Sequence, residues 1–471
     1  MDKASHATAR TGDFARAPLP PMPSRRVAVI GAGAAGLVAA RELLREGHSP
    51  VVFERAAGVG GTWLYDGEAS AEPLGAGGVH GSLYASLRTN LPRECMGFLD
   101  FPFVADEDSV DPRRFPGHQE VLRYLQAFAR WFDLHGLIRL ETEVVSVRRS
   151  GDASWNVSYC RRKLAGADAG GELQEEEEQS EVFDAVVVCN GHFAEPRVAE
   201  NAGIDGWPGK QLHSHSYRVP DQFHGQVVAI IGYNPSGMDI SRDIASVAKE
   251  VHVAIRAAPA EKMQSSTAHA NLWLHPMIDG AEEDGSVVFQ DGGRVKADAI
   301  VHCTGYKYSF PFLEDDEEAG VVAVDDNRVG PLYKHVFPPR LAPRISFIGL
   351  PFKAIPFLVF QLQSSWVAGV LSGRIELPPP KEMMQDVAAF YTDMEACGRP
   401  KRFTHDLGAS LFEYEDWLVE RCGLERIEEW RKAIYVAARG RVRDRPESYR
   451  DEWDGDAQLL EQAHRHLAKY L

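Results

Sequence analysis

Arg26-Val27-Ala28-Val29-Ile30-Gly31-Ala32-Gly33-Ala34-Ala35-Gly36 decides the fold. Val27–Ile30 is an unbroken apolar run, the pattern of a parallel strand buried on both faces. Three glycines at the spacing GxGxxG follow it. A helix is expected from Ala34 to Arg45, with Leu37, Ala40, Leu43 and Leu44 on one face. Val51-Val52-Phe53-Glu54 reads as the next strand and ends in an acid. Such a unit holds a pyrophosphate: bare backbone N–H groups and a positive helix end face the anion, and glycine keeps side chains out of the way. Glu54, 23 residues after Gly31, stands where an acid hydrogen-bonds ribose hydroxyls. The expected contacts are Gly31, Gly33, Ala34, Ala35, Gly36, Glu54 and its neighbour Arg55. A carboxylate there would repel a 2′-phosphate, so this site suits FAD rather than NADP.

The pattern returns about two hundred residues later. Val227-Val228-Ala229-Ile230-Ile231 leads into Gly232-Tyr233-Asn234-Pro235-Ser236-Gly237, with a helix expected over Ser236–Val247 and a strand over His252–Ile255. Asn234 replaces the middle glycine, and asparagine tolerates left-handed dihedrals, so the turn is expected to survive. This unit ends in a base. Arg256 can pair bidentately with a 2′-phosphate, which suits NADPH. Gly232, Asn234, Ser236, Gly237 and Arg256 are its expected contacts.

Length and composition agree with a globular protein of a reducing compartment. A chain of 471 residues exceeds one ordinary domain. Hydrophobic residues make up 44% and charged residues 25%, as in soluble globular proteins, and a net charge of −17 argues against nucleic-acid and anionic-membrane partners. Six scattered cysteines form no CxxC pair, so no redox dithiol or zinc site is expected. Residues 1–24 are polar and proline-rich, without the apolar core of a signal peptide, and read as a disordered leader; a cytoplasmic protein is expected. The most apolar stretch, Ala354 to Val370, is broken by Gln361, Gln363, Ser364 and Ser365, which suits a buried helix better than a membrane span.

Further elements are expected at Gln119–Leu134 (helix), Phe183–Val188 (buried strand) and Ala299–His302 (strand). Gly166–Glu181, with its acidic run, reads as a solvated hairpin loop, and the chain after residue 382 as charged helices. Glycine- and proline-rich stretches near 195–215 and 310–330 mark boundaries. The expected α/β architecture has two dinucleotide-binding (Rossmann-like) domains: an FAD-binding domain over 25–200 and 325–471, with a helical C-terminal extension, and an NADPH-binding domain, 201–324, inserted in it.

Trp207-Pro208-Gly209-Lys210-Gln211-Leu212-His213-Ser214-His215-Ser216-Tyr217 resembles the signature of flavin-containing monooxygenases, with Trp207 in place of the usual Phe. Gly60-Gly61-Thr62-Trp63 looks like the family's second flavin-side glycine motif, Thr89-Asn90 like its Leu-x-Thr-Asn, and Cys303-Thr304-Gly305-Tyr306 like its Ala-Thr-Gly-Tyr. Ile348-Gly349-Leu350-Pro351 and Gln363 with Trp366 match its C-terminal flavin-side segment. The chain looks most like plant S-oxygenating members, which share Ser236 to Ile244 after an asparagine like Asn234, and Tyr449-Arg450-Asp451-Glu452-Trp453.

The resemblance implies that NADPH reduces FAD and that oxygen then forms a flavin 4a-hydroperoxide, whose distal oxygen a soft nucleophile attacks. It places Gly61, Thr62, Trp63, Thr89, Asn90 and Gln363 on the flavin side. Ser216, Tyr217, Thr304 and Gly305 fall at the nicotinamide nucleotide and the domain junction. Asn90, which can both donate and accept, is the one residue expected to act catalytically. The cofactor carries the chemistry, so no acid–base triad is needed. The substrate is expected to be a small thioether, with N-oxygenation of an amine as the alternative. A Baeyer–Villiger oxygenase is disfavoured by Tyr217, a disulfide reductase by the missing dithiol, and a non-catalytic NADPH sensor by the intact first fingerprint. His213 and His215 lack the further ligands a metal needs, and no metal is expected. Oligomeric state is not legible.

Overall fold

The structure, a computed structural model, describes residues 24–471 apart from 68–71, 76–80, 152–153, 164–173, 176, 257–262, 265–268, 314–319 and 454–455. The expected leader lies outside the described residues except for residue 24, as does the centre of the acidic insert.

Two parallel sheets organise the chain. The first runs in the order Ile345–Phe347, Ala185–Val188, Arg26–Ile30, Ser49–Phe53, Ile138–Arg139. The second runs Lys210–His213, Ala299–His302, Val227–Ile231, Glu250–Ala254, Leu272–His275, with Met263–Gln264 antiparallel at its edge. Val27–Ile30 and Val227–Ile231 in the central strands are apolar throughout because both faces are covered. Val27 and Val29 pack into one core beside the helices Ala34–Arg45 and Pro356–Leu371, while Ala28 and Ile30 pack into another with Trp155 and Phe183. Val228 and Ile230 are divided from Ala229 and Ile231 in the same way.

The chain enters the second sheet after Cys189 and returns to the first at Ile345. Its outward and return paths meet: Glu195–Pro196 pairs antiparallel with Tyr306–Lys307, and Arg197 N–H donates to Gly305 O at 2.9 Å. The two units are therefore joined by a short two-stranded crossing.

Element boundaries moved for local reasons. The second nucleotide helix spans Pro235–Ala245. Proline serves its first position, where no N–H is needed, and the Ser246 hydroxyl turns back onto Asp243 O beyond its end. The expected strand Phe183–Val188 is two elements, Gln179–Phe183 and Ala185–Val188. Asp184 breaks the run, because its carboxylate accepts Arg26 N–H at 2.7 Å. The end of the acidic insert is likewise strand rather than solvated loop: Glu181 pairs with Arg26 and Arg139 and accepts from Tyr159 Oη at 2.6 Å. No helix among the described residues is long and apolar enough to cross a membrane. Pro356–Leu371 instead lies against Ala34–Arg45, where Ser365 Oγ donates to Glu42 at 3.0 Å.

Beyond residue 380 the helices Pro380–Ala396, Leu411–Cys422, Glu429–Asp444 and Ala457–Leu467 extend the first core. One contains a costly group. Glu415 is fully buried, and neither carboxylate oxygen has a hydrogen-bond partner among the described residues. Burial pushes its carboxyl up to about 8, against the pull of Lys432 and Arg431. The folded value is raised above the unfolded one, so the group's contribution is whole at acid pH and is lost as pH rises through 8. By pH 8 the unfolded chain's earlier ionisation has cost the fold on the order of a few kcal/mol. Glu415→Gln should raise the melting temperature by several degrees at pH 8 and change it little at pH 5. Equal shifts at the two pH values, read by thermal melting, would refute the titration.

Candidate nucleotide cleft

The two glycine loops are built alike. Gly31 N–H donates to Phe53 O at 2.8 Å and Gly232 N–H to Ala254 O at 3.0 Å, each tying the loop to the neighbouring strand. Both residues are left-handed, with φ of +103° and +100°. A Cβ on either would lie 2.5 Å from a carbonyl oxygen, that of Cys189 or of Cys303. Gly36 and Gly237 close the turns: a Cβ there would stand 1.8 Å from Gly31 O and 2.1 Å from Gly232 O. The units thus match at their first and last glycines, down to the cysteine behind each loop. Burial holds both thiols protonated, Cys303 being pushed up to about 12. The cysteines fill space and bear no chemistry.

The middle positions differ in another way than expected. Asn234 has φ −79° and ψ −179°, close to Gly33 at −74° and −174°. Neither is left-handed, so asparagine's tolerance of that region is not what saves the second turn. Another loop comes close here, and the steric demand falls on Gly61: a Cβ on Gly61 would meet Gly33 Cα at 2.8 Å, whereas one on Gly33 would meet Gly61 Cα at 3.4 Å, an ordinary contact. Gly60 N–H donates to Ala32 O at 3.0 Å in the same contact. The Gly60-Gly61-Thr62-Trp63 turn therefore packs on the first glycine loop. Trp63 leans on the core, and Thr62 Oγ1 lies 3.5 Å from Ser82 Oγ. Asn234 is exposed.

Both helices begin without a side-chain cap, at Gly33 and Asn234, leaving first-turn N–H groups to an anion. Ala34 and Ala35 open the first helix, and Pro235 and Ser236 the second. The first cradle carries its acid: Glu54 is buried, accepting from Ala32 N–H at 2.6 Å and Ala56 N–H at 2.9 Å. Burial raises its carboxyl above the ordinary value, opposed by those amides and by Arg55. Matching Phe53 to Ala254 puts Ile255 at the position of Glu54 and Arg256, which is exposed, at that of Arg55. The second cradle has thus lost the carboxylate and has a guanidinium one residue further on. A tight glycine turn, an uncapped helix and a strand-end polar group fit a dinucleotide in both units.

Asn90 is exposed, directly after buried Thr89. Thr89 is pinned by its N–H to Pro116 O at 2.9 Å and by its hydroxyl to Leu91 O at 2.8 Å. Other residues expected at the cofactors are used inside the fold. Tyr217 is wholly buried between Tyr84 and Phe223, its hydroxyl 2.6 Å from Asp243. Ser216 is buried as well. His213 Nδ1 accepts from His215 N–H at 3.0 Å, and burial, with His215 and His302 adding, lowers its imidazole to about 3, so the ring is neutral. Thr304 Oγ1 donates to Arg197 O, and Gly305, at φ +83°, turns the chain into the crossing strands. Gln363 is fully buried: its Oε1 accepts from Gly349 N–H at 3.0 Å and its Nε2 donates to Tyr414 Oη at 2.9 Å. The amide therefore supports the Gly349-Leu350 turn from behind.

Two arginines were not anticipated. Arg218 is buried and donates to the carbonyls of Asp66, His215, Tyr217 and Gly81. Arg450 joins Asp239 to the carbonyl before Asn90. A buried arginine on carbonyl oxygens leaves no pattern in local sequence.

This scaffold is that of a two-nucleotide oxidoreductase. The chain belongs to the flavin-binding monooxygenase-like family, whose model matches residues 24–260 and 264–402. It is an enzyme, a flavin-containing monooxygenase. It is 53% identical over 462 residues to the Arabidopsis thaliana flavin-containing monooxygenase FMO GS-OX-like 4, covering 96% of this chain and 99% of that one. It is 53% identical over 445 residues to Arabidopsis FMO GS-OX5, with coverages of 93% and 94%. The solved S-allyl-L-cysteine S-oxygenase of Allium sativum superposes with a TM-score of 0.88 at 54% identity, covering 95% of this chain and 99% of that one. Tmm from Pelagibacter shares the fold at 24% identity and a TM-score of 0.73, with coverages of 91% and 93%.

Proposed function

We propose that this protein uses NADPH and O2 to oxidise small thioethers to sulfoxides. FAD would lie in the first cradle and NADPH in the second, within an FAD domain of residues 25–200 and 325–471 and an NADPH domain of 201–324. The near full-length likeness to the garlic S-allyl-L-cysteine S-oxygenase carries this reading. One oxygen atom goes to sulfur and the other leaves as water, with the two electrons taken from NADPH.

The bound flavin supplies oxygen activation; the chain supplies position and shelter. The amides at Gly33 to Ala35 and the Glu54 carboxylate hold the first nucleotide at pyrophosphate and ribose. Those at Asn234, Ser236 and Gly237, with Arg256, hold the second; Pro235 has no N–H to offer. Asn90, exposed on a pinned loop, offers both N–H donors and a carbonyl acceptor to the reacting groups.

The flavin-loaded enzyme should be mixed with NADPH, aerated buffer and S-allyl-L-cysteine. One sulfoxide per NADPH, with little hydrogen peroxide, is the expected outcome. Peroxide without sulfoxide, or turnover only with an amine such as trimethylamine, would overturn the thioether assignment.

A further inference from the structure

We propose that Arg450 is a positioning residue, whose guanidinium clamps the Thr89–Asn90 loop to Asp239 on the second nucleotide helix and so sets where Asn90 stands relative to the nicotinamide nucleotide. The proposal rests on the monooxygenase reading above and adds a residue to it.

The geometry is that of one planar fork serving two units. Arg450 Nη1 and Nη2 donate to Asp239 Oδ1 and Oδ2 at 2.9 and 2.7 Å. Its Nε donates to Thr89 O at 3.0 Å, and Nη2 also reaches Arg88 O at 3.3 Å. Asp239 lies two residues past Gly237, in the first turns of the helix Pro235–Ala245. Its Oδ2 accepts a further hydrogen bond from Tyr84 Oη at 3.1 Å, from the loop that leads to Asn90. Arg450 and Asp239 side chains are 13% and 15% exposed, so solvent screens the pair little. A carboxylate on one nucleotide helix thus fixes, through one guanidinium, the two carbonyls that precede Asn90. Lysine cannot supply this pattern, because it lacks the fork.

The segment carrying Arg450 is itself anchored on both sides. Asp451 takes Arg88 in a two-bond pair at 2.8 and 3.1 Å. Pro446 O accepts from Arg242, on the same helix as Asp239, at 2.8 Å. Trp453 is sandwiched between the guanidiniums of Arg114 and Arg441 at 3.7 and 3.9 Å. The chain between Pro446 and Trp453 is therefore a strap over the junction. Within it, Arg450 hydrogen-bonds both the Asn90 loop and the second nucleotide helix, beside the direct Ser86 Oγ to Asp243 bond at 3.0 Å from loop to helix.

The test uses flavin-loaded enzyme carrying Arg450→Ala, Arg450→Lys, Asp239→Asn or Arg450→Ala with Asp239→Asn. Two quantities are read: hydrogen–deuterium exchange of the backbone over residues 86–91, without substrate, and the fraction of consumed NADPH that ends as hydrogen peroxide. Arg450→Ala should speed exchange there by about tenfold, in keeping with loss of a local tertiary anchor. It should raise the peroxide fraction several-fold while the KM for the thioether moves less. Arg450→Lys should restore neither, and the double variant should add little to either single one. Unchanged exchange and unchanged peroxide fraction would overturn the proposal, as would fully additive effects. Should Arg450→Ala fail to fold, Asp239→Asn leaves the arginine in place and reads the same clamp. If the unaltered enzyme yields only peroxide, the monooxygenase reading fails, and the exchange measurement still decides whether Arg450 orders the loop.

Discussion

Gly36→Ala should leave the purified protein with about a tenth or less of its flavin, because a methyl group there must displace backbone rather than a side chain. Its Cβ would stand 1.8 Å from Gly31 O. Gly31 cannot retreat, since its own N–H is bonded to Phe53 O and its α-carbon already faces the Cys189 carbonyl. Accommodating the methyl requires shifting the helix start that presents the amides. The milder control is Gly33→Ala, where the new Cβ meets Gly61 Cα at 3.4 Å, the edge of ordinary contact. Gly237→Ala repeats the stronger clash in the second unit, at 2.1 Å from Gly232 O. It should spare flavin content and damage the use of NADPH. Flavin absorbance per protein, with a melting curve for each variant, separates these outcomes. Full flavin and an unchanged melt in Gly36→Ala would refute the cradle.

That contrast shows what could be read from the chain before its structure. Glycine loops are legible because their steric demand falls on residues a few positions apart, and Glu54 because strand length fixes its spacing. The strands were legible as well, since burial on both faces leaves apolar runs. The demand on Gly61 was not, because the crowding comes from Gly33, 28 residues back; the same reading misjudged Asn234 as a problem of dihedral angle. Glu181 looked like part of a solvated acidic run, and only the approach of Arg26 and Arg139 makes it a half-buried ion-pair partner on a strand. Tyr217 and Gln363 carry motif positions, yet the sequence could not show that each polar group is spent on Asp243, Gly349 and Tyr414. Arg450 and Asp239 stand 211 positions apart, and no local pattern predicts a pair at that separation.

Arg256→Ala should raise the KM for NADPH by about 10- to 100-fold, the worth of one or two charge-assisted hydrogen bonds to a phosphate. The KM for NADH should move about twofold or less, since that nucleotide has no 2′-phosphate to lose contact with. The register of the two units gives the reason. Ile255 occupies the position at which Glu54 would repel a phosphate, and Arg256 lies one residue beyond, exposed at the strand end. Selectivity therefore has a passive part, the missing carboxylate, and an active part, the guanidinium. The two can be told apart. Arg256→Lys keeps the charge and loses the fork, so it should fall between the parent and alanine. Salt separates them further. The Debye length shrinks from about 10 Å at 0.1 M to about 3 Å at 1 M, so added salt should erode NADPH preference in the parent enzyme. In Arg256→Ala the remaining preference should hardly respond, because repulsion by an absent carboxylate cannot be screened. Equal losses for NADPH and NADH in Arg256→Ala, at any salt, would place the phosphate elsewhere in the second unit.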